Sequence, residues 1–268
     1  MTTAQSLPRP LRTGTRIATF AFGAIVPLTA VAELTNDPLL GPGLRSRPAY
    51  DGSASQQVEL VPVVRYLGQP LFVRSTQGVL EGGLRIELAS GLHAGMQLAY
   101  EPGRKAGDAD FLKNRNVAGI ATGASWGLQL EWDHTFGPMP VTLLARLRQH
   151  TESARGAQAD LRLSAGVFHS GRVSAGVFAQ ATWANAKSTD SFYGITAQQA
   201  AATGLPMYRP GGGLLFGSAG LLWSVDLTRN WIVVGSMEAR RLRGDGAGSP
   251  LSERASNYYA SAGLAYHF

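Results

Sequence analysis

The chain has 268 residues, a formal net charge of +6, 16% charged residues, 33 glycines and no cysteine. The missing cysteine excludes disulfides, Cys-ligated zinc, thiol catalysis and lipid attachment at a lipobox. Arg9, Arg12 and Arg16 carry half of the positive excess, and the balance of about +3 that remains without them gives no reason to expect nucleic acid as a partner.

Those three arginines open the chain as a basic stretch without a single acid. An apolar run, Ile17 to Val26, follows, then Pro27 and the small-residue pattern Ala30-Val31-Ala32 before Glu33. The order predicts a secretory signal over 1–32, cut after Ala32, with Ala30 and Ala32 as the small residues of the cleavage site. The run is shorter than the ~20 residues of a membrane-spanning helix, and no later run approaches that length. An exported chain without disulfides needs a large hydrogen-bonded framework. Residues 33–268 are therefore read as one closed β-barrel.

The strands follow in order. Leu39 to Tyr50 is the least regular. Val58, Leu60, Pro62, Val64 and Tyr66 alternate with Glu59 and Arg65. Leu71 to Leu88 is too long for one span, and Gln77-Gly78 divides it. Leu92 to Tyr100 alternates with His93 and Gln97. The clearest strand is Ala124 to Phe136, where Trp126, Leu128, Leu130, Trp132, His134 and Phe136 alternate with Gln129, Glu131 and Asp133. From Trp126 to Phe136 the tilted strand rises about 24 Å, against an apolar band of ~25 Å in outer-membrane barrels.

Gly137-Pro138 ends that strand, and the next puts Arg146 and Arg148 on the same side as Glu131 and Asp133. With Phe136 opposite Val141, Glu131 faces Arg146. A register two residues away pairs Glu131 with Arg148 and Asp133 with Arg146. Both predict a lumen charge network of Glu131, Asp133, Arg146 and Arg148, either purely structural or serving selectivity or ligand binding. Further hairpins are expected about Ser170-Gly171, with Phe168 and Phe178 inward, and about Thr228 to Asn230. The last strand places Tyr258, Leu264, Tyr266 and Phe268 on one face. Leu264, Tyr266 and Phe268 are the expected signal for the barrel-assembly machinery.

The fold class expected is all-β: a transmembrane antiparallel up-and-down barrel of twelve strands, or ten if the first stretch drops out. Short turns would lie in the periplasm, and long loops at about 102–119, 185–215 and 243–255 outside. Outer-membrane lipid and lipopolysaccharide are then the surroundings. The five histidines are scattered, with no metal-ligand spacing on one strand face and no nucleophile–base–orienter set. No catalytic, metal or cofactor site is expected. Gly211-Gly-Gly213 lacks the strand–loop–helix context and the lysine of a phosphate cradle.

The longest loop, Asp190 to Leu214, is the most specific stretch. Phe192-Tyr193-Gly194, then a short helix capped by Thr196, then Gly204-Leu205-Pro206, Tyr208 and a glycine-rich exit closely resemble the MltA-interacting protein / OmpV family of outer-membrane proteins. Arg47 to Ser53, Ser249-Pro-Leu251 and Gly263 to Phe268 agree with the same pattern. The resemblance implies a non-enzymatic barrel that links a lytic transglycosylase to a penicillin-binding murein synthase. It also implies one alternative, a surface adhesin or antigen, while the inward residues add another, a narrow diffusion pore.

Overall fold

The computed structural model describes residues 37–76 and 78–268. The expected signal, with Ala30 and Ala32, lies outside the described residues.

Twelve strands form: β1 (Leu39–Pro48), β2 (Gln56–Leu67), β3 (Leu71–Thr76), β4 (Val79–Ala89), β5 (Leu92–Glu101), β6 (Gly123–Phe136), β7 (Met139–His150), β8 (Ala157–Ser170), β9 (Val173–Ala184), β10 (Gly213–Asp226), β11 (Trp231–Leu242) and β12 (Ser256–His267). Each pairs antiparallel with its chain neighbours, and β12 pairs with β1, Leu39 opposite His267, to close a barrel. The count is therefore twelve, because β1 is a full member and Leu71 to Leu88 divides into two paired strands between Thr76 and Val79. Gly41 explains why β1 is hard to read: a Cβ there would overlap the Leu264 carbonyl of β12, so a glycine replaces the alternating side chain.

The wall follows the period-two rule with its polarity inverted. On β6, Trp126, Leu128 and Leu130 are exposed on the outside, while Ser125, Gln129 and Glu131 are buried inside. Leu60, Leu98, Leu147, Leu163, Leu221, Met237 and Leu264 continue the apolar exterior around the circumference. This inversion is stable only where the outer solvent is hydrocarbon, and closure leaves no strand edge unpaired in it. Exposed aromatics flank the band at both ends: Tyr100, Trp126, Trp183 and Tyr258 at one, Tyr66, Phe136, Trp231, Tyr266 and Phe268 at the other. Among the described residues no helix is long and apolar enough to cross a membrane.

Two expectations are corrected. The β6–β7 turn is a two-residue one, and Phe136 stands opposite Met139, not Val141. Gly137 has φ +60°, as the first position of a type II′ hairpin requires. Glu131 consequently faces Leu144, and Arg146 faces Gln129. Phe168 is 53% exposed on the outside, because an extra residue between Gly166 and Phe168 shifts the β8–β9 register and turns the ring toward lipid. Phe178 does point inward and is buried.

The two ends of the barrel differ. At one, the connections are short: 68–70, 90–91, 137–138, 171–172 and 227–230. At the other, residues 49–55, 102–122, 185–212 and 243–255 fold together. They carry four short helices, α1 (Asp110–Asn114), α2 (Ala186–Tyr193), α3 (Ala197–Thr203) and α4 (Gly244–Gly248). α3 forms as its sequence predicts. Thr196 Oγ accepts from the Gln199 amide, Gln199 Oε1 accepts from the Thr196 amide, and Gly204 at φ +70° ends the helix. Ala49, Tyr50, Ala109, Leu112, Val117, Ile195, Leu205 and Leu251 then form one buried apolar cluster drawn from all four loops. The loop end is a folded cap with its own core.

Candidate functional site: the charged lumen and its cap

Inside the barrel the alternation delivers charge. Glu131 does not meet Arg146 or Arg148. It lies 2.7 Å from Arg74 Nη1 and 2.6 Å from Arg85 Nη2. Asp133 accepts from Thr142 at 2.7 Å, with Arg85 at 3.5 Å. Arg146 pairs with Glu81 at 3.0 Å and Asp160 at 3.5 Å, and Arg148 with Asp160 at 3.0 Å and Glu101 at 3.2 Å. Glu81 also holds Arg74, at 2.5 Å. The four charges named from the sequence thus belong to one network, joined through Arg74, Glu81, Arg85 and Asp160. Each of these four sits on an inward position of β3, β4 or β8, so the same alternation marks them. Sequence distance hid the pairing, since the partners meet across the bore.

The network laces β3 through β8 together and fills that half of the lumen. On the other side a cavity of about 140 Å³ lies against β1, β2 and β9–β12, with Arg162 over the Phe178 ring at 4.0 Å. A second cavity, about 200 Å³, lies directly beneath the cap. His93, Glu131 and Asp133 bring three potential ligand atoms within 4.8 Å, drawn from β5 and β6. Arg85 already reaches both carboxylates and supplies the positive charge there. His169 Nδ1 lies 2.8 Å from Ser174 Oγ across the β8–β9 pair. Among the described residues no carboxylate is paired with that ring, so the orienting group of a triad is missing.

The cap is tied by the stretches that carry the family resemblance. Tyr50 Oη donates to the Leu251 carbonyl at 2.8 Å, Tyr193 Oη to the Asp51 carbonyl at 3.2 Å, and Ser249 Oγ to the Tyr193 carbonyl at 2.7 Å. Burial pushes the Tyr50 and Tyr193 phenols above their ordinary range and keeps them as neutral donors. Arg240 reaches from β11 to Asp51 in the cap at 2.9 Å, and Tyr259 also donates to Asp51. Of the loop motif, Phe192 faces the chamber beneath the cap, Tyr193 is buried, and Leu205 joins the cap core. Gly194 has no room for a Cβ beside Asp190. Gly204 ends α3, Pro206 is exposed after it, and Tyr208 bridges to Ile195 and donates to the Asp245 carbonyl at 2.9 Å. Leu264 and Tyr266 are exposed on β12 and Phe268 just after it, with Tyr266 edge-on to both Trp231 and Phe268.

A closed twelve-stranded wall, apolar outside, ion-paired inside and capped at one end, defines an outer-membrane type of β-barrel. The chain belongs to the MltA-interacting protein MipA family, whose model matches residues 40–268. No curated relative matches it. Among solved structures it is similar to an outer membrane channel of Pseudomonas putida F1, at 8% identity over 91% of this chain and 100% of that one, TM-score 0.47. The NanC porin is similar at 11% identity over 86% and 100%, TM-score 0.46. LpxR of Salmonella typhimurium is similar at 8% over 85% and 100%, TM-score 0.45. Likenesses this distant say nothing about substrate or partner.

Proposed function

We propose that this barrel is a non-enzymatic scaffold of the murein machinery, holding a lytic transglycosylase near a penicillin-binding murein synthase. The observation that carries the reading is membership of the MltA-interacting family over residues 40–268. A lumen bridged by ion pairs from β3 to β8 supports it, because such a bore is poorly suited to bulk transport. In this reading residues 1–32 are a signal cut after Ala32, and Leu264, Tyr266 and Phe268 deliver the chain to the barrel-assembly machinery. The apolar wall then sits among outer-membrane lipid and lipopolysaccharide, with the short turns in the periplasm.

Only those turns and the residues before β1 would face murein enzymes. They offer little area, so the contact is expected to be a weak one at the barrel rim. Photo-crosslinkers at Met139 and Arg229, compared with one at Ala200 in the cap, test this in cells. Enrichment of a transglycosylase or murein synthase from the two turn positions alone is the expected result. Capture only of assembly machinery or lipopolysaccharide would remove the scaffold reading.

A second reading, surface recognition, is favoured by the cap, whose four loops share one buried core instead of standing as independent tethers. A diffusion pore is the third. Planar-bilayer recordings of the purified barrel are expected to give no large, stable steps. Steps on the scale of a general porin would contradict a lumen bridged by ion pairs.

A further inference from the structure

The chamber beneath the cap is lined by more arginines than acids. Most of these guanidiniums are matched within the wall: Arg148 by Glu101 and Asp160, Arg240 by Asp51 and Glu238. Arg104 differs. It is 7% exposed and pairs with no carboxylate among the described residues. Its Nη1 donates to the Phe192 carbonyl at 2.8 Å, its guanidinium lies 5.4 Å from the centre of the Tyr50 ring, and its buried Nε has no acceptor among the described residues. A buried cation left without a counter-charge is costly, so an anion that arrives there gains what the fold does not supply.

A second buried group lines the same chamber. Gln180 on β9 is 6% exposed; its amide nitrogen donates to Thr182 at 3.2 Å, while its Oε1 accepts from no donor among the described residues. The chamber thus combines an unmatched guanidinium, a buried acceptor and the aromatic walls of Tyr50, Phe192 and Tyr259. Guanidinium forks suit oxoanions. A free amide oxygen suits a hydroxyl, and aromatic walls suit the apolar face of a ring. At about 200 Å³ the space is below the ~300 Å³ at which sites for drug-sized ligands begin, so it takes a single ring and not an oligomer.

The geometry points to a binding site for an acidic monosaccharide beneath the cap, its carboxylate on Arg104 and a hydroxyl on Gln180. This is independent of the scaffold reading, which concerns the opposite end of the barrel.

Calorimetry on the purified, detergent-folded barrel tests it with galacturonate, galactose and inorganic phosphate as probes. Saturable galacturonate binding is expected, with galactose at least tenfold weaker. Arg104→Gln should weaken galacturonate at least tenfold. Because that change also loosens the cap, Gln180→Ala serves as the second variant: it leaves the cap contacts intact and should weaken binding several-fold. Phosphate binding that is lost in Arg104→Gln, without galacturonate binding, would replace the sugar acid by a free oxoanion and overturn the proposal as stated. No binding of either anion, or binding unchanged in both variants, would overturn the site and leave Arg104 as a clamp on Tyr50 and Phe192.

Discussion

Glu81→Gln is expected to destabilise the barrel by about 3–5 kcal/mol, the cost of breaking a buried ion pair from one side. Glu81 has 1% of its side chain exposed and is shared by Arg74 at 2.5 Å and Arg146 at 3.0 Å. Glutamine keeps the shape and loses the charge, so among the described residues Arg74 and Arg146 are left with Glu131 and Asp160 as their carboxylate partners. Urea unfolding of the folded barrel, followed by strand signal and by the mobility shift of folded barrels on gels, reads the loss. Glu152→Gln is the control. Glu152 is 63% exposed, so its pair with the buried Arg155 is partly screened by water and its loss should cost less than that of Glu81. If Glu81→Gln unfolds no more easily than Glu152→Gln, the lumen network is not what holds β3 to β8 together.

Replacing both partners separates charge from packing. Glu81→Leu combined with Arg146→Met removes a whole pair, and replacing a complete buried pair by apolar groups is often neutral. Arg74 would keep Glu131 and Arg148 would keep Asp160. The double variant should therefore recover much of the single variant's loss.

The strands were legible because a wall between lipid and lumen imposes strict alternation, which β5, β6 and β12 display without interruption. α3 was legible because Thr196 and Gly204 act on their own neighbours. What the sequence did not carry is circumferential. Whether Glu131 meets Arg146 or Arg74 depends on a two-residue turn and on strands that lie 57 positions apart in the chain. Phe168 turned outward on one extra residue in β8, and a single added residue exchanges faces wherever the side-chain period is two. The cap was equally hidden. Tyr50, Leu112, Ile195 and Leu251 have no local periodicity that says they meet, and each stands in a stretch that reads as an ordinary loop.

That convergence gives the second large expectation, Leu112→Ala. Leu112 is fully buried at 0% exposure in a cluster supplied by all four long loops. Truncation leaves a cavity that should cost the cap about 2–5 kcal/mol. The loss should stay local, because the strand ladders end below the cap and retain every inter-strand hydrogen bond. Hydrogen exchange and limited proteolysis should then show 102–122, 185–212 and 243–255 opening together, while the urea midpoint of the barrel barely moves. Met207→Ala, at an exposed position of the same cap, should change neither. Cleavage confined to 102–122 would mean that the loops fold independently and that the cap is not one cooperative unit. Joint opening would mean that the barrel carries a separable lid, tied to the wall through Asp51 and Arg240, whose stability sets access to the chamber below.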